Sequence, residues 1–177
     1  LGACSVHLQA AGESLLFSGD VGRDDDLLMP PPAVPPAADW LLVESTYGDR
    51  RHPDEDVAAR LGAIVRDTIG RGGSVLLPSF AVGRAQALLL VLQRLKAAGE
   101  IPAGLPIFLD SPMAIEATQL YRRHARGLRP PARELQHLTD GVRLVETAAQ
   151  SMRLAGQRYP SVIISASGMA TGGRVLY

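Results

Sequence analysis

The sequence predicts an α/β fold, a Rossmann-like three-layer α/β/α domain with a mainly parallel sheet. Short apolar runs without polar alternation recur, as in strands buried on both faces: Val75-Leu76-Leu77, Ile107-Phe108-Leu109 and Val162-Ile163-Ile164. Helical stretches separate these runs, so neighbouring strands run parallel through right-handed crossovers. Each run also ends in a turn rich in Ser, Gly or Pro, the chemistry of a strand-to-helix junction.

Taken in order, residues 3–9 and 14–18 read as antiparallel strands joined by Ala11-Gly12-Glu13. His7 sits among alternating apolar neighbours as a strand-face residue, and Cys4 reads as a small buried hydrophobe. Asp24-Asp25-Asp26 is a solvated loop, because three consecutive carboxylates cannot all face one ion. Five prolines between Met29 and Pro36 make an ordered extended loop. Trp40-Leu41-Leu42-Val43 is a short buried strand that delivers Glu44 at its end, much as the strand ending at Phe17 delivers Asp20. Asp54 caps a helix whose apolar face is Val57, Leu61, Ile64, Val65 and Ile69, stopped by Gly70 to Gly73.

A strand over 74–77 then leads to a helix over 85–98, and a strand over 106–109 to a helix over 114–126. Residues 127–141 are rich in turns. Val142 to Val145 is a short edge strand, Thr147 to Ala155 a helix and Ser161 to Ile164 a strand, and Gly172 begins a last helix. No GxGxxG opens any of these helices, which argues against a dinucleotide site.

The chain has 177 residues, 46% hydrophobic and 20% charged, enough for one domain with a sizeable core or one domain plus part of another. Formal net charge is zero, so no global basic field marks a nucleic-acid binder. Of the 18 basic residues only Lys96 is not Arg; Arg favours bidentate phosphate contact, although a high-GC genome produces the same bias. The single cysteine excludes an internal disulfide and a Cys-rich zinc cluster. No stretch reads as a membrane span or a signal peptide, so the expected location is cytoplasmic without a membrane partner. Leu1 opens the chain as though in mid-domain, which suggests an excised fragment.

The chemistry concentrates in three turns: Pro78-Ser79-Phe80, Asp110-Ser111-Pro112-Met113 and Ser165-Ala166-Ser167-Gly168-Met169. In a parallel sheet such turns gather on one edge. Helix N-termini carry partial positive charge and free N–H donors, so that edge can hold anions. Arg84 and Arg174 stand where they add full charge. Any one turn is better explained by capping; three alike favour a phosphate-binding edge. A phosphodiester backbone fits without sequence specificity. Phe80 and Tyr47 are candidates to stack on a base, against a plain packing role for Phe80.

The segments SGDVGR, VESTYGDRRH, SFAVGRAQ, LDSPMA and SASGMATGGRV resemble the β-CASP class of metallo-β-lactamase-fold nucleases. That class includes RNase J-like enzymes and the pre-mRNA cleavage and polyadenylation endonuclease. The resemblance covers nearly the whole chain. It implies a partial metallo-β-lactamase segment over 1–45 and a β-CASP cap over 46–177 that clamps RNA or DNA. Asp20 matches the aspartate that bridges two zinc ions in the family, where the metals hold a hydroxide against the scissile phosphate. Glu44 matches the acidic first β-CASP motif, which orients a histidine acting as general acid. Ser79, Arg84, Ser111, Ser167, Gly168 and Arg174 match turns along the nucleic-acid path. His52 matches a recurring histidine taken as structural.

Departures from the pattern matter. The HxHxDH metal motif is absent, Leu1-Gly2 resembles the tail of a GHxLG segment, and Tyr177 stands where many relatives carry histidine. Zinc needs three or four ligands. The expectation is therefore an RNA-binding piece of a zinc-dependent ribonuclease, exo- or endonucleolytic, inactive alone and without stoichiometric zinc. Its partner would be single-stranded RNA held mainly by the backbone, and a homodimeric parent is one option. The rival readings are a Rossmann-like module for a nucleotide or small anion, and a DNA-directed member of the same family.

Overall fold

A computed structural model describes residues 3–51 and 53–176, so the expectations for Leu1, Gly2, His52 and Tyr177 lie outside the described residues. The chain forms two compact units, Leu1–Asp54 and Glu55–Tyr177. The division, at 54/55, lies nine residues beyond the motif-based boundary at 45/46. Among the described residues no helix is long and apolar enough to cross a membrane.

The first unit is a three-stranded sheet of β1 (Val6–Ala10), β2 (Glu13–Phe17) and β3 (Trp40–Leu42), in that order. β1 and β2 are antiparallel and β3 runs parallel to β2. The hairpin is tight because Ala11 and Gly12 both take positive φ, 53° and 84°, which matches the twist of the flanking strands. Asp39 fixes the entry to β3 by accepting from the Ser14 backbone N–H (2.8 Å) and hydroxyl (2.7 Å). The Ser14 hydroxyl holds the Asp39 carboxyl below its ordinary range. The acidic loop is used locally: Arg23 bonds Asp25 at 2.7 Å, and Asp26 accepts from the Leu28 and Met29 N–H groups. The long Pro-rich loop follows, with Leu28 buried at its start.

Two expectations fail here. β3 is not buried: Trp40, Leu41, Leu42 and Val43 are all at least half exposed. An apolar run reports that a strand can be covered, and this small unit supplies no second layer over β3. Cys4 is exposed as well, because the strand begins two residues later at Val6. His7 lies on β1 opposite Leu16.

The second unit opens with α1 (Val57–Gly70), then alternates β4 (Val75–Pro78), α2 (Arg84–Ala97), β5 (Ile107–Asp110) and α3 (Pro112–Arg123). After a 3-10 turn at Ala125–Gly127 come the short α4 (Ala132–Gln136), β6 (Val142–Leu144), α5 (Ala148–Ala155) and β7 (Val162–Ser165). The sheet is wholly parallel in the order β4-β7-β5-β6, so the last strand in sequence lies between β4 and β5. The predicted three-layer α/β architecture is present.

Its core follows from strand alternation. Phe108, Val145 and Leu154 pack together on one face, joined by Ile163, which brings α5 onto the sheet. Ile107, Leu109, Val162 and Ile164 point to the other face and are at most 1% exposed, beneath the α1–α2–α3 layer. Each such side chain contributes roughly 1.5–3 kcal/mol by leaving water. α2 buries Leu89, Leu90, Leu92 and Leu95, which explains its nearly all-round apolar sequence.

Three boundaries differ from expectation. Asp56, not Asp54, caps α1, its carboxylate accepting from Ala59 N–H at 2.9 Å. Of the proposed apolar face, Leu61 and Val65 are buried while Val57 and Ile64 remain exposed. Gly172 opens no α-helix among the described residues; only a 3-10 turn forms at Arg174–Leu176, because 166–173 closes as a loop upon itself.

Candidate nucleic-acid interface

The register places the three turns side by side. Pro78 pairs with Ser165, and Ser165 with Asp110, at the carboxyl ends of β4, β7 and β5. Ser79 and Ser111 therefore flank the Ala166–Gly168 turn, about two strand spacings (~10 Å) apart. Ser79 N–H donates to Ser165 O at 3.0 Å, tying two of the turns directly. Gly168 lies so close that a Cβ there would sit 2.9 Å from Phe80 N and 3.1 Å from Ser79 C. Only glycine allows that approach.

The serine hydroxyls do not themselves form the surface. Ser79 and Ser111 are 2% and 4% exposed. Ser111 caps α3, its Oγ accepting from Ala114 N–H at 3.2 Å, with Pro112 as the first helical residue. Gly83, not Ser79, is the N-cap of α2. Ser167 and Gly168 are half-buried in a loop closed by Ser167 N–H to Gly172 O (3.3 Å) and Val175 N–H to Ala166 O (2.9 Å). What the rim exposes is Phe80, Val82, Arg84, Met113 and Met169. Among the described residues, the N–H groups of Phe80, Ala81, Gly168 and Met169 donate to no protein acceptor.

The two arginines separate. Arg84 is exposed on the first turn of α2, with no ion-pair partner among the described residues. Arg174 instead turns inward. Its Nη1 donates to Asp110 Oδ1 (3.0 Å) and Val145 O (2.7 Å), and its Nη2 to Glu146 O (2.6 Å). Asp110 is 3% exposed, and its other oxygen accepts from the Ser151 hydroxyl. Arg174 is thus a strap that ties the 166–174 loop to the ends of β5 and β6, and its charge is already spent on Asp110.

Two residues behind the rim escaped the sequence reading. Asp110 anchors the strap. Gln86 is fully buried; its Oε1 accepts from Gly83 N–H (2.7 Å), while its Nε2 donates to Ala81 O (3.0 Å), Ala114 O (3.3 Å) and Thr118 Oγ1 (3.0 Å). It staples the turn after β4 to the start of α3. A glutamine inside the apolar run Ala85–Leu92 was the available signal.

In the first unit, Asp20 and Glu44 end neighbouring strands. Ser18 N–H donates to Leu42 O (2.9 Å) and Glu44 N–H to Ser18 Oγ (3.0 Å), which holds the two loops together. Gly19 is required at its corner: its φ is +58°, and a Cβ would meet Cys4 O at 2.3 Å. The Glu44 carboxylate accepts from Thr46 N–H at 2.9 Å, which lowers its pKa, with a smaller contribution from Val21 N–H. Asp20 is exposed. Among the described residues no three His, Cys, Asp or Glu side chains gather as a metal site. The donors present do not fit zinc, which takes three or four ligands.

The second unit is therefore a parallel α/β domain whose strand-end turns carry unbonded amides, one exposed cation and exposed apolar side chains. The chain belongs to the Beta-Casp family: the family's Beta-Casp domain matches residues 85–177. It is 38% identical over 186 residues to Ribonuclease TTHA0252 of Thermus thermophilus, spanning 99% of this chain and 42% of that protein. It is 31% identical to an RNase J-like protein of Methanocaldococcus jannaschii, over 99% of this chain and 42% of the relative. To the Schizosaccharomyces pombe endoribonuclease ysh1 it is 33% identical, over 98% of this chain and 23% of the relative. The chain thus spans less than half the length of these relatives.

Proposed function

We propose that this chain is the RNA-holding part of a ribonuclease that hydrolyses phosphodiester bonds. The observation that carries the reading is the convergence of three turns on one sheet edge, with free N–H groups of Phe80, Ala81, Gly168 and Met169 beside exposed Arg84. Free amides hydrogen-bond phosphate oxygens without reading sequence, and Arg84 adds a charge-assisted bond. The α3 N-terminus at the same edge contributes partial positive charge. Exposed Phe80 offers a face for an unpaired base, which favours single-stranded RNA. The relatives named as ribonucleases and endoribonucleases support RNA as substrate and internal cleavage as the mode to test first.

Of the residues matched to family motifs, Ser79, Ser111, Ser167 and Gly168 shape the rim, and Arg174 with Asp110 holds its outer loop. Asp20 supplies one carboxylate and Glu44 a second, committed to Thr46 N–H. Two carboxylates fall short of the three or four ligands that zinc takes.

The test is fluorescence anisotropy of a labelled oligouridylate with the 177-residue chain at low salt. Weak, salt-sensitive binding that drops in Arg84→Glu is expected. Absence of binding at low salt refutes the reading, and displacement of the RNA by a mononucleotide at equal concentration would favour a small-anion module. Hydrolysis is tested on the whole protein, wild type beside Asp20→Ala, and unchanged activity in that variant would remove Asp20 from the site.

A further inference from the structure

Residues 117–133 contain five arginines and no Asp or Glu, in a chain whose net charge is zero. They lie at the C-terminal end of α3, in the 3-10 turn and in α4, elements that pack together. Arg122, Arg123, Arg126 and Arg133 are exposed. Of the acidic groups that flank this stretch, Glu134 pairs with Arg94 at 2.8 Å and Asp140 with His137 at 2.7 Å, while exposed Glu116 lies about two turns before Arg123 on α3. Among the described residues Arg123, Arg126 and Arg133 have no ion-pair partner, so their charge is uncompensated. Three arginines are more than the end of one short helix needs to offset its dipole.

We infer that this surface is a second polyphosphate-binding site, taking the backbone of single-stranded RNA that extends beyond the rim. The inference rests on the RNA reading above and adds a path for the strand. α3 links the two places: its N-cap Ser111 stands at the rim and Arg123 ends it twelve residues later. At 1.5 Å per residue the basic end lies about 18 Å from the rim. A strand of several nucleotides bridges that span, whereas a very short one reaches the rim alone. Guanidinium groups suit phosphate through paired N–H donors, which favours RNA over an acidic protein segment.

The test compares a short oligouridylate with one several times longer, across a salt series, on the 177-residue chain. The wild type should gain affinity with length. The triple variant Arg123→Gln, Arg126→Gln, Arg133→Gln should keep its short-oligomer affinity and lose the length gain. With a slope of about 0.7 per phosphate contact, three lost contacts flatten the salt dependence by about 2 and cost roughly 10- to 100-fold near 0.1 M salt. The triple Lys variant keeps the charge and should keep most of the gain, which separates charge loss from misfolding. Unchanged long-oligomer binding in the Gln variant overturns the second site while leaving the rim intact. Equal loss on both lengths overturns it too. If the wild type fails to bind even the short oligomer, the fault lies in the rim reading. Polyglutamate binding as tight as RNA would mark an acidic-protein surface and overturn the inference.

Discussion

Replacing Arg174 by alanine removes three hydrogen bonds and leaves Asp110 as a carboxylate, with its side chain 4% exposed and Ser151 as the remaining bonded partner described for it. Breaking a buried pair from one side costs about 3–5 kcal/mol, because the surviving charge stays out of water. Against a typical total of about 5–15 kcal/mol, that is a large share. It corresponds to a fall of roughly 10–20 °C in Tm for a domain of this size. The assay exploits the layout. Every described α-helix lies in the second unit, while the single tryptophan, Trp40, lies in the first. Far-UV circular dichroism in urea therefore reports the second unit. The Asp110→Ala/Arg174→Ala double variant should cost less than the sum of its singles by about 1–3 kcal/mol. An Arg174→Ala midpoint within about 1 kcal/mol of wild type refutes the strap.

Three further outcomes follow from the same geometry. Gly168→Ala pushes a methyl into the Phe80 and Ser79 backbone, so it should destabilise by about 1–3 kcal/mol and reduce oligouridylate affinity beyond what lost folding explains; anisotropy beside a urea titration measures both. Phe80→Ala should weaken RNA binding about tenfold, consistent with about 1–3 kcal/mol of base stacking, while an abasic oligomer shows no difference. Asp39 and Glu44 have lowered pKa values, so their stabilisation is fully present above the ordinary values of 3.8 and 4.5 and is lost as pH falls through the folded values. The Trp40 fluorescence midpoint in urea should be level near neutrality and fall in acid, and Ser14→Ala should blunt the Asp39 part.

The sheet and its helices were legible because their signals are local. An unbroken apolar run bounded by Gly or Ser suffices to find β4, β5 and β7, and parallel pairing follows from the helices between them. The convergence of Ser79, Ser111 and Ser167 on one edge follows from that topology. Burial was less legible: Trp40–Val43 and Val57 look like core residues until the covering layer is counted. The inward turn of Arg174 was not legible for a different reason. Its partner Asp110 is 64 positions away, and no local pattern distinguishes an arginine that faces solvent from one that folds inward. Gln86 and Thr118 meet across 32 positions in the same way.

The position of β7 has a consequence for how this chain matures. Val162 pairs with both Val75 and Ile107, so β4 and β5 share one sheet only through it. While residues up to about 155 emerge from a ribosome, two apolar strand edges stay open, separated by a gap one strand wide. Such edges invite pairing with other chains. Pairings this distant in sequence form late. The sheet therefore closes only after Val162–Ser165 has been made, and the nascent chain is most vulnerable to aggregation just before that moment.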